Sequence, residues 1–274
     1  RLKMDKTDSF FNLFICYSKI TIKSWFQYRI DACMRSLAVL LREATGVIVI
    51  YLTMLTFGEI NGWNIYELLL LFSFVYVTYG VLIIFFTGLR DFEFLVNTGQ
   101  FDRFLLRPRG PLYQVIASNS DWFAAIGHGG LGIALFVFSA NKVEIVWNIW
   151  NIIYSIGCVI GGVLIQGAIF LIIASLSFRF IKTGSIRDLF YGNTRKFANY
   201  PISIFPKVIR IFMTYIVPFA FVNYYPASYL LNKEVGREGI SIYMYITPVV
   251  GVIMFGIAYF FWNYNLKCYK SSGN

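Results

Sequence analysis

The feature that most restricts this chain is residues 147–178, an apolar stretch without a single Asp, Glu, Lys or Arg. About 20 helical residues, rising 1.5 Å each, cross the hydrocarbon core of a bilayer. The stretch is too long for one perpendicular span and too short for two. It predicts one transmembrane helix with an interfacial extension around Trp147 and Trp150.

Other apolar blocks predict further spans. Hydrophobic residues make up 58% of the chain and charged residues 14%, and the mean hydropathy is +0.63. Soluble domains usually have about 45–50% apolar and about 25% charged residues. The fold class is therefore predicted to be all-α and polytopic, with six transmembrane helices. Besides 147–178, these are 35–57, 66–87, 112–139 (its lipid segment beginning near Trp122), 208–231 and 242–264.

The basic residues indicate the orientation. The segments 1–29, 88–110, 179–207 and 265–274 contain eighteen Lys and Arg together, whereas 58–65, 140–146 and 232–241 contain three. Cytoplasmic loops carry the basic excess. Both termini are therefore expected in the cytoplasm, which requires an even number of spans. This distribution also explains the net charge of +10 by topology, without a nucleic-acid partner. The predicted division is a cytoplasmic N-terminus over 1–29, a transmembrane domain over 30–264 and a cytoplasmic tail over 265–274.

The fifth span has two interpretations. Hydropathy favours 208–231, but the surrounding region contains four prolines, and an interior proline kinks a helix. In the alternative, the span is the more polar stretch 183–203, and a re-entrant hairpin follows it. The prolines concerned are Pro201, Pro206, Pro218 and Pro226.

Residues 9–28 form an amphipathic pattern before the first span. Asn12, Cys16, Lys19, Lys23 and Gln27 fall on one helical stripe, with apolar residues on the other faces. This predicts a helix in the membrane interface, with a soluble helix packed on a partner as the alternative. The side chains proposed to make the interfacial contacts are Phe11, Phe14, Lys19, Lys23, Trp25 and Phe26.

The chain lacks common catalytic and cofactor motifs. It contains no phosphate-binding P-loop sequence, and its four cysteines show no metal-binding spacing. Gly127, Gly129 and Gly132 match a dinucleotide-binding pattern, but they lie inside an apolar span, which favours close helix packing. Gly157 and Gly161 predict another packing face. We therefore expect no catalytic residue, metal or cofactor in this chain.

A few polar residues fall inside the predicted spans. His128 is the only histidine, and it is interpreted as a hydrogen-bonded packing residue or as a cavity-lining one. Asp121 is similarly a helix cap or a cavity group. Arg42 and Glu43 lie in the first span, nearer the end assigned to the cytoplasm, where Arg can extend to the interface. A charge at the bilayer centre costs about 2.5–3.5 kcal/mol on insertion scales.

The loop between the second and third spans contains the most informative soluble stretch, 99–111, in which apolar and charged residues alternate before two prolines. It is either an interfacial loop helix or a docking element for a cytoplasmic partner. The docking residues would be Phe101, Asp102, Arg103, Phe104, Leu105, Leu106, Arg107 and Pro108.

Nearly the whole chain resembles the permease subunits of type-2 ATP-binding-cassette exporters, and in particular a poorly characterised branch of that family. The order and spacing of several short motifs carry this resemblance. They are Tyr28-Arg29, Gly62-Trp63, the 99–108 stretch, Tyr200-Pro201, Phe205-Pro206, Ile209-Arg210, Val217-Pro218, Tyr224-Tyr225-Pro226-Ala227 and the tail 269–273.

The resemblance implies a division of labour between chains. The N-terminal helix would be the elbow helix, and 99–108 would hold the coupling helix that docks on a separate nucleotide-binding subunit, where ATP and Mg²⁺ bind. A second permease, identical or homologous, would complete the transporter, and the 200–226 region would form re-entrant helices. The protein would export a drug, peptide or lipid-linked molecule across a bacterial cell membrane. The alternatives are a membrane-embedded lipid-modifying enzyme and a membrane scaffold or immunity protein.

Overall fold

The computed structural model describes residues 10–27, 29–180, 182–233 and 241–269. Side chains are described from residue 14 onward, apart from those at 24–27, 29 and 241. The predicted contacts of Phe11, Trp25 and Phe26, the Tyr28 motif position and the tail beyond Tyr269 therefore lie outside the described residues.

The regular structure in the described ranges is helical, with an isolated extended bridge between Ile60 and Trp63. Five helices are long and apolar enough to span a membrane, and a bent pair raises the number to six if it counts as one span. The predicted all-α polytopic fold is therefore confirmed. The α-helices are α1 (Phe10–Gln27), α2 (Arg29–Phe57), α3 (Ile65–Arg90), α4 (Phe92–Asn97), α5 (Asp102–Leu105), α6 (Pro111–Ser118), α7 (Trp122–Lys142), α8 (Ile149–Leu176), α9 (Gly184–Arg187), α10 (Thr194–Phe197), α11 (Lys207–Ile211), α12 (Tyr224–Leu230) and α13 (Thr247–Leu266).

Local sequence signals set several helix ends. Asn64 caps α3 by accepting hydrogen bonds from two backbone N–H groups, while Glu67 accepts one from the Asn64 backbone. This reciprocal arrangement satisfies N–H groups that the first turn leaves unpaired. The polar start predicted for the third span is a separate helix, α6, and the chain breaks at 119–121 before α7 begins at Trp122. Asp121 caps α7 by accepting a hydrogen bond from the Ala124 N–H.

Glycines allow the long helices to pack closely. At Gly80 of α3, an added Cβ would lie 2.6 Å from the Gly129 Cα of α7. At Gly161 of α8, it would lie 2.7 Å from the Thr247 carbonyl oxygen. Gly127, Gly129 and Gly132 all lie inside α7, whereas the glycines of a dinucleotide site lie at a turn between a strand and a helix. Small residues at helix crossings are typical of membrane bundles.

The fifth predicted span differs most from the hydropathy reading. Residues 184–197 form one helical run through α9, a π-helical turn (Asp188–Asn193) and α10; we call this run the polar helix. Arg187 donates a hydrogen bond to the Arg90 carbonyl at 3.0 Å, and the Arg195 guanidinium carbon lies 4.0 Å from the centre of the Tyr79 ring. The polar helix therefore runs from the Arg90 end of α3 toward its middle.

Residues 208–231 do not form one continuous helix, so a fifth span here would have to be a broken one. The helical segments Lys207–Ile216 and Phe219–Leu230 meet at an angle of 76°. The break falls at Val217 and Pro218, where proline cannot donate the backbone hydrogen bond of a continuing helix. Pro201 precedes a 3₁₀ turn (Ile202–Ile204), Pro206 precedes α11, Pro218 lies at the break, and Pro226 lies in α12.

The contacts of this bent pair favour the re-entrant alternative. Phe212 in its first arm lies beside Phe190 of the polar helix, with 6.3 Å between ring centroids. Lys233, just after the second arm, pairs with Glu67 in the first turn of α3 at 2.9 Å. The first arm thus lies alongside the polar helix, and the second arm ends level with the start of α3.

Candidate functional site

The residues of the predicted docking element form a short projecting structure, which we call the 101–108 segment. Its two phenylalanines anchor it, because Phe101 is fully buried and Phe104 nearly so. Phe101 packs against an aromatic cluster from α4, α13 and the chain after α8. Its ring centroid lies 5.1 Å from that of Phe92, 5.3 Å from that of Phe178 and 6.4 Å from that of Trp262.

Apart from Asp102, the remaining side chains of the 101–108 segment face outward. Leu106 is 87% exposed, and Arg103, Leu105, Arg107 and Pro108 are also exposed. An exposed apolar side chain flanked by cations is typical of a contact surface rather than of a core. The structure thus separates the predicted docking residues into buried anchors and an exposed face.

Hydrogen bonds hold the backbone of this segment in place. Gln114 of α6 is buried, and its Nε2 donates to the carbonyl oxygens of Phe104 at 3.0 Å and Arg109 at 2.7 Å. Arg107 Nη1 donates to the Tyr17 hydroxyl of α1 at 2.9 Å. Phe14, also on α1, is buried and stacks on Phe85 of α3 at 5.2 Å. Helix α1 is therefore joined to both the segment and the bundle.

The segment is also bonded to the chain that follows α13. The Tyr269 hydroxyl donates to Asp102 Oδ1 at 2.8 Å. Burial and this hydrogen bond raise the pKa of Tyr269 to about 12, so the phenol remains a donor at physiological pH. Asp102 is half-buried and serves this internal contact, which leaves Leu106 and Arg103 as the better candidates for contact with another chain.

The second polar site lies inside the helical bundle, around Glu43. This residue occupies the midpoint of α2, because α2 begins at Arg29 and not near Arg35 as the hydropathy pattern indicated. The Tyr76 hydroxyl donates to Glu43 Oε2 at 2.5 Å, and Arg42 donates to Oε1 at 2.7 Å. Arg195 Nη2 lies 3.5 Å from Oε2. Three helical segments distant in sequence thus converge on one carboxylate.

We call Glu43, Arg42, Tyr76 and Arg195 the Glu43 cluster. Local sequence patterns do not reveal that Tyr76 and Arg195 belong to it, and the same holds for a neighbouring set of polar residues. Tyr191 of the polar helix donates to Gln166 Oε1 at 2.7 Å, and Gln166 donates to Thr78 at 2.8 Å. Gln166 thereby joins Tyr191 and Thr78 across three helical segments, which lowers the cost of burying these three polar side chains.

His128 and Asp121, the two predicted cavity candidates, occupy different surroundings. His128 is buried, with Nδ1 3.6 Å from Glu43 and its ring edge-to-face with Tyr79 at 4.7 Å. Asp121 forms an ion pair with Arg35 at 2.5 Å in addition to capping α7. Neither residue lines the two cavities described next.

Two neighbouring cavities open beside the Glu43 cluster. The inner one has a volume of about 490 Å³ and is lined by Glu43, Tyr76, Arg195 and other residues of α2, α3 and the polar helix. The other has a volume of about 790 Å³ and reaches Asn97 and Phe104. Arg90, Asp91 and Arg187 line both. The cavities are thus contiguous from the 101–108 segment to the middle of α2.

The described residues include no group of three or more His, Cys, Asp or Glu side chains arranged to hold a metal ion. Several charged groups of the cavities are instead arranged as ion pairs between arginine and carboxylate, among them Arg90 with Asp91 and Arg187 with Asp188. Such an arrangement can bind and orient a charged molecule by hydrogen bonds and charge.

Comparison with known proteins gives one match. A family model described as ABC-2 family transporter protein matches residues 40–273. No curated protein sequence and no solved structure gives a significant match. The matched range includes the 101–108 segment, the Glu43 cluster and both cavities.

Proposed function

Because the chain belongs to the ABC-2 family of transporter proteins, we propose that it couples ATP hydrolysis in a separate nucleotide-binding subunit to export of an amphipathic substrate. Membership makes it a membrane permease subunit. ATP and Mg²⁺ would bind the partner ATPase, and this chain would contribute no catalytic group. A second permease, identical or homologous, would complete the complex.

The observation that carries this proposal is the construction of the 101–108 segment. Phe101 and Phe104 are held in the bundle, while Leu106 projects with most of its surface uncovered. A movement of an ATPase bound to the exposed face would therefore be transmitted to the helical bundle through Phe101 and Phe104. Phe104 also lines the larger cavity, so displacement of the segment would move one wall of the space in which a substrate could lie.

In the proposed cycle, ATP binding closes the two ATPase subunits and draws the 101–108 segments of two permeases with them. The helices of each permease would then shift between inward- and outward-facing arrangements, a rigid-body change common in transporters. The basic loops and the segment would face the cytoplasm of a bacterial cell, with both termini on that side. The substrate would be a drug, a peptide or a lipid-linked molecule.

The experiment replaces Leu106 with Glu in the complex of permease and ATPase reconstituted in liposomes. A charge in the apolar centre of an interface disfavours binding by desolvation, so we expect loss of co-purifying ATPase and of permease-dependent ATP turnover. Val146, which is 75% exposed in the loop before α8, provides the matched control as Val146→Glu. Normal ATPase recovery and turnover with Leu106→Glu would refute the docking role.

A further inference from the structure

The inner cavity carries an excess of positive charge in the middle of an apolar bundle. Its lining includes five basic residues and three acidic ones. Glu43 is at the midpoint of α2, and Tyr76 and Tyr79 are near the middle of α3. Ionisable residues at such depth are costly and are usually retained for function. The basic residues are Arg42, Arg90, Arg187, Arg195 and Lys196, and the acidic ones are Glu43, Asp91 and Asp188.

The three carboxylates are already engaged by neighbouring arginines. Arg90 makes two hydrogen bonds to Asp91, at 2.9 and 3.0 Å. Arg187 Nε lies 3.4 Å from Asp188 Oδ1. Glu43 receives hydrogen bonds on both oxygens, from Arg42 and from Tyr76, and its ion pair with Arg195 is longer, at 3.5 Å. With five basic and three acidic residues, the lining keeps an excess of positive charge, and Lys196 pairs with none of these carboxylates.

Arg195 is positioned but incompletely hydrogen-bonded. Its guanidinium lies over the rings of Tyr79, at 4.0 Å, and Tyr76, at 5.2 Å. Its Nη2 atom is buried and has no hydrogen-bond partner among the described residues, although Glu43 forms an ion pair with it at 3.5 Å. Buried donors are nearly always satisfied in native proteins. The adjacent Lys196 is exposed at the cavity and makes no ion pair with another described residue.

We infer that the inner cavity binds the anionic head of an amphipathic molecule, a phosphate or a carboxylate, through Arg195 and Lys196. The planar guanidinium presents two parallel N–H groups to such an oxyanion, and the head would supply the acceptor that Nη2 lacks. A volume of about 490 Å³ is suitable for a head group. This inference rests on the proposed transport function and assigns its substrate to the anionic amphiphiles.

The contiguous cavities provide a route to this site. Arg90 and Arg187, which line both cavities, lie between the 101–108 segment and Arg195. A head group moving inward would therefore pass arginines along the whole path. Its apolar tail would contact the aromatic and aliphatic side chains that also line the cavities, Phe94, Leu95 and Phe104 in the larger and Phe170 in the inner.

The test measures binding of dodecyl phosphate to the full chain purified in the uncharged detergent dodecyl maltoside, without the ATPase. We expect saturable binding that Arg195→Gln weakens about tenfold to a hundredfold, the usual effect of losing a charge-assisted hydrogen bond. Arg195→Lys should bind more tightly than Arg195→Gln but more weakly than the wild type, because an ammonium keeps the charge but cannot present two parallel N–H groups. Lys196→Gln, which changes an exposed side chain, should weaken binding about twofold to fivefold. This variant keeps the test valid if Arg195→Gln does not fold.

Lys142→Gln is the matched control, because it removes one exposed positive charge at the end of α7, away from the cavity residues. Equal affinity in the wild type, Arg195→Gln and Lys196→Gln would overturn the inference, as would an equal loss in Lys142→Gln. Dodecanol should bind at least tenfold more weakly than dodecyl phosphate, and inorganic phosphate should not compete. Tight binding of dodecanol, or competition by phosphate, would contradict an anionic amphiphile.

Two further arms identify the source of the head group. Competition by phosphatidic acid in phosphatidylcholine nanodiscs would indicate a bilayer lipid, and competition by laurate a soluble fatty acid; inhibition by neither would overturn the inference. Because the ATPase is absent, these results stand apart from the Leu106→Glu experiment. Binding together with normal coupling in Leu106→Glu would reject the docking mechanism and leave the anion site intact.

Discussion

Replacement of Gly161 by Ala tests whether glycine contacts set the spacing of α8 and α13. A Cβ at this position would lie 2.7 Å from the Thr247 carbonyl oxygen and 2.8 Å from the Pro248 Cα. Both atoms belong to the backbone and cannot rotate away, so α8 and α13 would have to separate by about 0.7 Å. This separation weakens the van der Waals contacts between the two helices. Overpacking of this kind typically costs about 1–3 kcal/mol, and we expect that loss of unfolding free energy.

Gly157, one turn earlier on the same face, provides the matched control. Its added Cβ would lie 3.5 Å from the Pro248 Cγ, an ordinary contact. Ala is also about 0.8–1.0 kcal/mol more favourable than Gly in a helix, so Gly157→Ala should be neutral or stabilising. Unfolding of both purified variants by sodium dodecyl sulfate, followed by circular dichroism, measures the difference. Equal stability of Gly161→Ala and wild type would refute the packing argument.

Three further predictions concern other contacts. Trp262→Ala should lower the unfolding free energy by about 3–5 kcal/mol, because Trp262 is fully buried among Phe92 and Phe178. The same detergent titration measures this loss, and a loss under about 1 kcal/mol would contradict the prediction. Tyr269 has a pKa raised from 10.0 to about 12. The stability that Tyr269 adds over Tyr269→Phe should therefore be constant up to about pH 10 and disappear as the pH rises through 12. Thermal melts of both proteins across this pH range measure the difference, and its loss already at neutral pH would contradict the assignment. Lys233→Met should destabilise the protein by about 1 kcal/mol, because it removes the ion pair with Glu67 and the contact with the Trp63 ring. A double-mutant cycle with Glu67→Gln measures the coupling energy between Lys233 and Glu67, and a coupling energy of zero would refute the ion pair.

Hydropathy predicted the long helices well where a segment is apolar over its whole length. The stretch 147–178 gave α8 as one helix, Ile149–Leu176, and the expected start near Trp122 is the first residue of α7. In such segments a helix satisfies its own backbone hydrogen bonds and apolar side chains face lipid or other helices. Composition along the sequence is then sufficient to locate the span.

The polar helix could not be located in this way, because its partners are distant in sequence. Charged residues such as Arg187 and Arg195 made 183–203 appear too polar for a membrane span, yet in the fold Arg195 pairs with Glu43 and Arg187 bonds the Arg90 carbonyl. These contacts depend on tertiary structure, which a hydropathy window does not contain. The same limitation applies to the glycine motifs, since only the structure shows that Gly161 is tightly packed and Gly157 is not.

The 101–108 segment was located from its alternating pattern, but the pattern did not distinguish its two faces. Burial shows that Phe101 and Phe104 are internal anchors and that Leu106 is external. Asp102, which the sequence placed among the docking residues, bonds Tyr269 from the other end of the chain. A pairing between residues this far apart in sequence leaves no trace in local periodicity.

The composition of the complex tests the central claim, that this chain is a permease driven by a separate ATPase. The chain would be tagged, expressed from its native genetic neighbourhood, extracted in mild detergent and weighed by native mass spectrometry. We expect a complex of two permease chains and two ATPase subunits, which separates when Leu106 is replaced by Glu and persists with Val146→Glu. A chain that purifies without any ATPase, while remaining folded and able to dimerise, would contradict it.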